Sequence, residues 1–131
     1  MIINTLGPTG TDSHAAALDT VTSSQDKIVL YKSFHEIIEQ LGQLSNQYIL
    51  IPVAFESSSK DYDWKDLNFE YWEKLEIISI FSKKTKPMIL IENPEYEVDL
   101  AIIQPATRIY MKKYLDSIAA QTEIIPEKSK I

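Results

Sequence analysis

Cysteine is absent from the 131 residues. Disulfides, thiolate metal sites, iron–sulfur clusters and thiol nucleophiles are thereby excluded, and the redox compartment is left open. Histidine occurs only as His14 and His35, with no carboxylates clustered around the pair, so no metal site is expected. Long hydrophobic runs are also missing. The longest, Tyr48 to Phe55, has eight residues and contains Pro52, and the N-terminus lacks a basic region followed by an apolar one. No membrane span or signal segment is read from it, and a soluble cytoplasmic protein is the expectation. Basic side chains are the minority, 13 against 19 acidic, for a net charge of -6. Such a surface repels phosphate backbones and anionic lipid, which argues against nucleic-acid and membrane partners.

What is present suits one globular domain. Apolar residues make up 44% and charged residues 24% of the chain, a composition that supports a core without staples. Strand and helix signals alternate in the first half. Ile2 to Leu6 is β-compatible and stops at Gly7-Pro8, after which Asp12 or Ser13 can cap a helix through Ala15, Ala16, Ala17 and Leu18. Ile28 to Tyr31 reads as the next strand. Ser33 followed by Glu36 forms a capping box, Phe34, Ile37, Ile38 and Leu41 share a helical face, and Gly42 is the expected stop. Tyr48 to Val53 reads as a strand covered on both faces of a parallel sheet. Strand-helix-strand-helix-strand at this spacing implies right-handed parallel crossovers and an α/β fold.

From Phe55 to Glu76 the texture changes, with seven acids, three lysines and six of the thirteen aromatic residues in twenty-two positions. The aromatics Tyr62, Trp64, Phe69, Tyr71 and Trp72 are interleaved with acids, the wrong sign for stacking nucleic acid, and suit a lobe junction, a lid or a dimer surface. Leu75 to Phe81 and Pro87 to Glu92 are two further strand-like runs. The intervening Lys83, Lys84 and Lys86 could line a cleft, though a polar turn explains them. Leu100 to Ile103 reads as a strand, followed by a helix with Met111, Tyr114, Leu115 and Ile118 on one stripe, and Glu123 to Pro126 could start another strand. The organisation expected is lobe 1 over about 1–55, a crossing segment over 56–76 and a partial lobe 2 over 77–131. A second lobe that begins and does not finish is expected to mark a fragment, or a homodimer in which a second copy supplies strands.

Two of only three glycines lie in Gly7-Pro8-Thr9-Gly10-Thr11-Asp12-Ser13, between a predicted strand and a predicted helix. The loop has two readings. In one it is a tight turn with a plain helix cap; in the other its backbone N–H groups, with the hydroxyls of Thr11 and Ser13, receive an anion such as a carboxylate. Arg108, the sole arginine, opens a helix behind Thr107 and could take a carboxylate in bidentate fashion, or simply lie at the surface. His14 could donate a proton or be an exposed first-turn residue, and His35 sits on a polar helix side. Glu56 and Ser57 follow a buried strand, where α/β ligand sites gather, or belong to an ordinary loop.

The stretch from Asn4 to Ala17 resembles the opening Gly-Pro-x-Gly-Thr-x-Ser-x-x-Ala-Ala of the prephenate dehydratase domain, and Ile51-Pro52-Val53-Ala54-Phe55-Glu56-Ser57 stands where that family has Pro-x-Glu-Asn-Ser. Together with Leu75 to Phe81 and Thr85-Lys86-Pro87-Met88, the set is most similar to the prephenate decarboxylase branch known from bacilysin and aeruginosin biosynthesis. The likeness runs in order from residue 2 to about 118. It implies a two-lobed fold like the type II periplasmic binding proteins. The implied activity is a cofactor-independent lyase that decarboxylates prephenate, a dicarboxylate, to a non-aromatic dihydro-hydroxyphenylpyruvate in specialised antibiotic or peptide metabolism. With that activity in view, His14 and Glu56 are the catalytic candidates. Gly10, Thr11, Ser13, Ser57, Thr107 and Arg108 are the substrate-binding ones, with the Thr11–Ser13 turn and Arg108 facing one cleft. A prephenate dehydratase producing phenylpyruvate, whose Thr-Arg-Phe signature is not Thr107-Arg108-Ile109, and a non-catalytic binding or assembly module are the alternatives.

Overall fold

Alternating β-branched runs and capped helices produce a parallel sheet at the start of the chain. The computed structural model describes residues 1–57, 61–87, 89–91, 95, 100–103, 107–117 and 123–126, which divide between two compact units, residues 1–86 and Pro87–Lys130. The first unit holds strands β1 (Ile2–Leu6), β2 (Lys27–Tyr31) and β3 (Tyr48–Ile49) in the order β2-β1-β3. Both pairings are parallel, Ile2 to Leu6 against Lys27 to Tyr31 and Ile3 and Asn4 against Tyr48 and Ile49. The α/β class expected from the sequence is the class observed.

Helix α1 (Asp12–Thr20) links β1 to β2, and helix α2 (Phe34–Glu39) links β2 to β3. The first crossover moves to one side of β1 and the second returns past it, so right-handed connections set the two helices on opposite faces of the sheet. β1 is therefore the central strand, and Ile3, Asn4 and Thr5 are all buried on it. This corrects the expectation that Tyr48–Val53 is covered on both faces. β3 is an edge strand of two residues, Tyr48 and Val53 are exposed, and burial has gone to the strand with neighbours on both sides.

Two buried polar side chains extend the short β1–β3 pairing. Asn4 donates from Nδ2 to the Gln47 side chain at 3.0 Å and the Tyr48 carbonyl at 3.1 Å, and accepts from the Tyr31 hydroxyl at 3.2 Å. Thr5 donates to the Leu50 carbonyl at 2.8 Å. These bonds satisfy groups that would be costly to bury unpaired, and they carry the strand contact past the end of the ladder.

The α2 face carries the main cluster, Phe34, Ile37 and Phe55, with Leu6, Ile49, Ile51, Tyr62 and Trp64 packed around it. Phe34 and Phe55 meet edge to face at 5.2 Å. Ser33 caps α2 by accepting from the Glu36 N–H at 3.2 Å, and Glu36 returns a bond to the Lys32 N–H rather than to that of Ser33. Gly42 does not stop the helix; it lies within a 3-10 turn, Leu41–Gln43, that follows Gln40.

Helix α3 (Trp64–Glu70) occupies the segment read only as a crossing. Asp63 caps it by accepting from the Lys65 and Asp66 N–H groups, while Asp66 accepts from the Asp63 N–H at 3.0 Å, and Leu67 anchors it as a buried side chain. An aspartate at both ends of the box is a shorter version of the Ser/Thr-to-Glu pattern, which is why sequence reading passed over it. Residues 75–86 then run on with no ladder partner, which corrects the expected Leu75–Phe81 strand. β-branched composition makes a strand only where a neighbour completes the hydrogen bonds, and among the described residues none does. Of the Pro87–Glu92 run, the described residues 87 and 89–91 are likewise outside any strand.

In the second unit β4 (Leu100–Ile103) and β5 (Glu123–Pro126) pair in parallel, Leu100 with Glu123 through Ile103 with Pro126, joined through helix α4 (Arg108–Ser117). Met111 is buried, Tyr114 and Leu115 are half-buried on the expected stripe, and Ile118 lies outside the described residues.

Candidate functional site

Because the β1–β2 and β2–β3 crossovers run in opposite directions along the sheet, a crevice opens between β1 and β3 at the carboxyl ends of the strands, the place where α/β sheets bind ligands. Two segments enter it there: the glycine loop after β1 and the Ile51–Ser57 stretch after β3.

Each residue of the loop has a definite job. The Gly7 N–H donates to the Tyr31 carbonyl at 2.8 Å, and a side chain at Gly7 would stand 3.1 Å from Leu30 Cβ, so glycine lets β1 leave the sheet close to β2. Gly10 adopts φ 92°, a conformation that glycine alone takes readily. Thr11, not Asp12 or Ser13, is the N-cap of α1: its hydroxyl accepts from the His14 N–H at 3.2 Å and donates to the Pro8 carbonyl at 3.0 Å. That hydroxyl is therefore engaged in building the loop. The N–H groups of Asp12 and Ser13 are the first two of the helix and point beyond it. The Ser13 hydroxyl has no protein partner among the described residues.

His14 folds back onto the loop, its Nδ1 accepting from the Gly10 N–H at 3.1 Å. The bond places the ring proton on Nε2. Lys86 completes the arrangement. Its ammonium donates to the Gly10 carbonyl at 2.8 Å, its N–H reaches Asp12 Oδ1 at 3.5 Å, and Lys83 pairs with Asp19 further along α1. Two helix N–H groups, a free hydroxyl and an ammonium lie along one turn, donors that suit a carboxylate or phosphate oxygen, while the Asp12 carboxylate beside the Lys86 N–H opposes one.

Lys86 is the site residue that sequence reading set aside. Its three-lysine segment looked like a turn between strands, and only the packing of residues 83–86 along α1 brings it to Gly10. Of the expected residues, Gly10, Thr11, Ser13 and His14 come together at this loop. On the β3 side, Ser57 is buried with its N–H donating to the Tyr62 carbonyl at 2.7 Å, and Glu56 is exposed and bridged through its backbone to Asp63. Thr107 and Arg108 belong to the second unit, Thr107 half-buried and Arg108 exposed at the first position of α4.

No family model, curated protein or solved structure matches this chain. Among the described residues no helix is long and apolar enough to cross a membrane.

Proposed function

We propose that this chain is a prephenate decarboxylase-like lyase that works without a cofactor, within the two-lobed fold like the periplasmic binding proteins that its resemblance implies. The observation that carries the reading is the meeting of the Asp12 and Ser13 N–H groups, the Ser13 hydroxyl and the Lys86 ammonium at the glycine loop. The loop supports an anion site at an α/β switch point, and prephenate as its occupant follows from the resemblance.

Charge flow decides which carboxylate belongs there. In decarboxylation the bond from the ring carbon to its carboxylate breaks, carbon dioxide leaves, and the electron pair passes through the ring diene to a carbon that takes a proton. Negative charge drains from the departing carboxylate as the transition state forms. A cation clamped on that group would stabilise the ground state more than the transition state and slow the reaction. Lys86 and the loop therefore hold the pyruvyl carboxylate, which keeps its charge throughout, and orient the ring. His14 is the proton donor of this mechanism as the imidazolium, which forms when Nδ1 gives up the Gly10 N–H and takes a proton from solvent. Glu56 and Ser57 lie in the stretch after β3, and by the same charge argument Thr107 and Arg108, the candidates for the ring carboxylate, would add affinity at a cost to the chemical step.

Incubation of purified protein with prephenate, with product identification by mass and ultraviolet absorbance, tests the reading. Carbon dioxide release with a non-aromatic product is expected. Lys86→Ala should raise KM about tenfold with little change in kcat, as loss of a charge-assisted bond would. His14→Gln should lower kcat about a hundredfold. Consumption of prephenate no faster than its spontaneous breakdown defeats the proposal, and phenylpyruvate as product replaces it with the dehydratase.

A further inference from the structure

Between α2 and α3 the first unit forms a partly open cavity of about 190 Å³ whose lining includes His35, Glu39, Phe55, Tyr62, Glu70 and Tyr71. That space has room for a ligand of side-chain size. Its chemistry is the opposite of the glycine loop's. Two carboxylates face it, and its aromatic groups are the buried Phe55 and the half-buried Tyr62 and Tyr71. A dicarboxylate would meet like charge there, and of the lyase candidates only Ser57 lines this cavity.

We propose that it is a binding site for a small organic monocation, a primary ammonium or guanidinium compound. Carboxylates supply the charge-assisted acceptors that such a group needs, and aromatic faces attract a cation once water is displaced. The Tyr71 ring already takes one cation, the Lys74 ammonium 5.9 Å from its centre, outside the cavity lining. The acceptors are held in place from within: the Tyr62 hydroxyl donates to Glu70 Oε2 at 2.7 Å, and His35 Nε2 lies 3.0 Å from Glu39 Oε1. Each of these carboxylates keeps acceptor capacity, since an ionised carboxylate offers about four lone-pair sites. Both phenols are pushed above the ordinary tyrosine range, first by burial and then by Glu70, so they remain neutral hydrogen-bond donors and ring surfaces. Phe55, packed edge to face against Phe34 and against Tyr62 at 6.4 Å, forms a rigid apolar floor.

Calorimetric titration of the intact chain with butylammonium, propylguanidinium and butyrate tests the site. Saturable binding of at least one of the cations at one site per chain is expected, with none for butyrate. Glu70→Gln and Glu39→Gln are isosteric changes at exposed carboxylates, and each should weaken the cation at least tenfold with an unchanged circular dichroism spectrum. Gly10→Ala, in the loop, should leave cation binding unchanged. Absence of saturable cation binding, cation binding indifferent to both glutamine variants, or butyrate binding that competes with the cation would each overturn the site. The test does not depend on prephenate turnover, so its failure and the failure of the lyase reading are separate results.

Discussion

At the scale of single residues, the three glycines illustrate how differently one residue type can be used. Gly10 holds φ 92° with open space where a side chain would project, so Gly10→Ala is strained only through the backbone and should cost about 1–2 kcal/mol. Gly42 has neither a positive φ nor a neighbour within 4 Å, and Gly42→Ala should be neutral or stabilise by about 0.4–1 kcal/mol through the unfolded state. Denaturant midpoints of the two variants, read side by side, check the contrast. Asp26 supplies a pH signature. It accepts from the N-terminal ammonium at 2.7 Å and from the Thr22 and Ser23 N–H groups, which together hold its carboxyl down from 3.8 to about 2. A depressed carboxyl contributes stability that is complete above its unfolded value and lost as pH falls through its folded one. Stability should therefore drop between about pH 4 and pH 2, and Asp26→Asn should flatten that part of the curve in acid titrations followed by circular dichroism.

Elements were legible where their signals are local. The cap at Ser33 and the apolar face of Phe34, Ile37 and Ile38 lie within one turn of each other, and α2 forms where that pattern places it. Ser33→Ala should cost about 1 kcal/mol, whereas Ile37→Ala, which empties a fully buried site, should cost about 2–5 kcal/mol. Thermal or urea unfolding of the pair checks the ordering. Helix α3 was missed because its aspartate-to-aspartate box departs from the usual pattern and Phe69 on it is 76% exposed, which blurs the helical periodicity. Of the candidate site, the glycine loop was readable because the residues that make the turn, the cap and the free N–H groups are consecutive. Lys86 was not, since seventy-six positions separate it from Gly10 and nothing local ties them.

At the scale of the molecule, burial grades the two units. β1 is paired on both edges and covered on both faces, while residues 75–86 have no ladder partner. Hydrogen exchange should find the β1 amides slowest and those of 75–86 near the unprotected rate, with the two-stranded β4–β5 sheet between them. Protection of 75–81 equal to that of β1 would contradict the unpaired state of that run. The sequence by itself determined the parallel α/β class, the order of elements through residue 51 and the glycine loop, because caps, periodicity and crossover handedness act over neighbouring residues. Tertiary structure alone decided that β1 is central and β3 an edge, that a β-branched run stays outside a sheet, and that a lysine reaches the loop. Each of these depends on which distant segment supplies the missing hydrogen bond or charge, and a free energy shared between two segments is written in neither one.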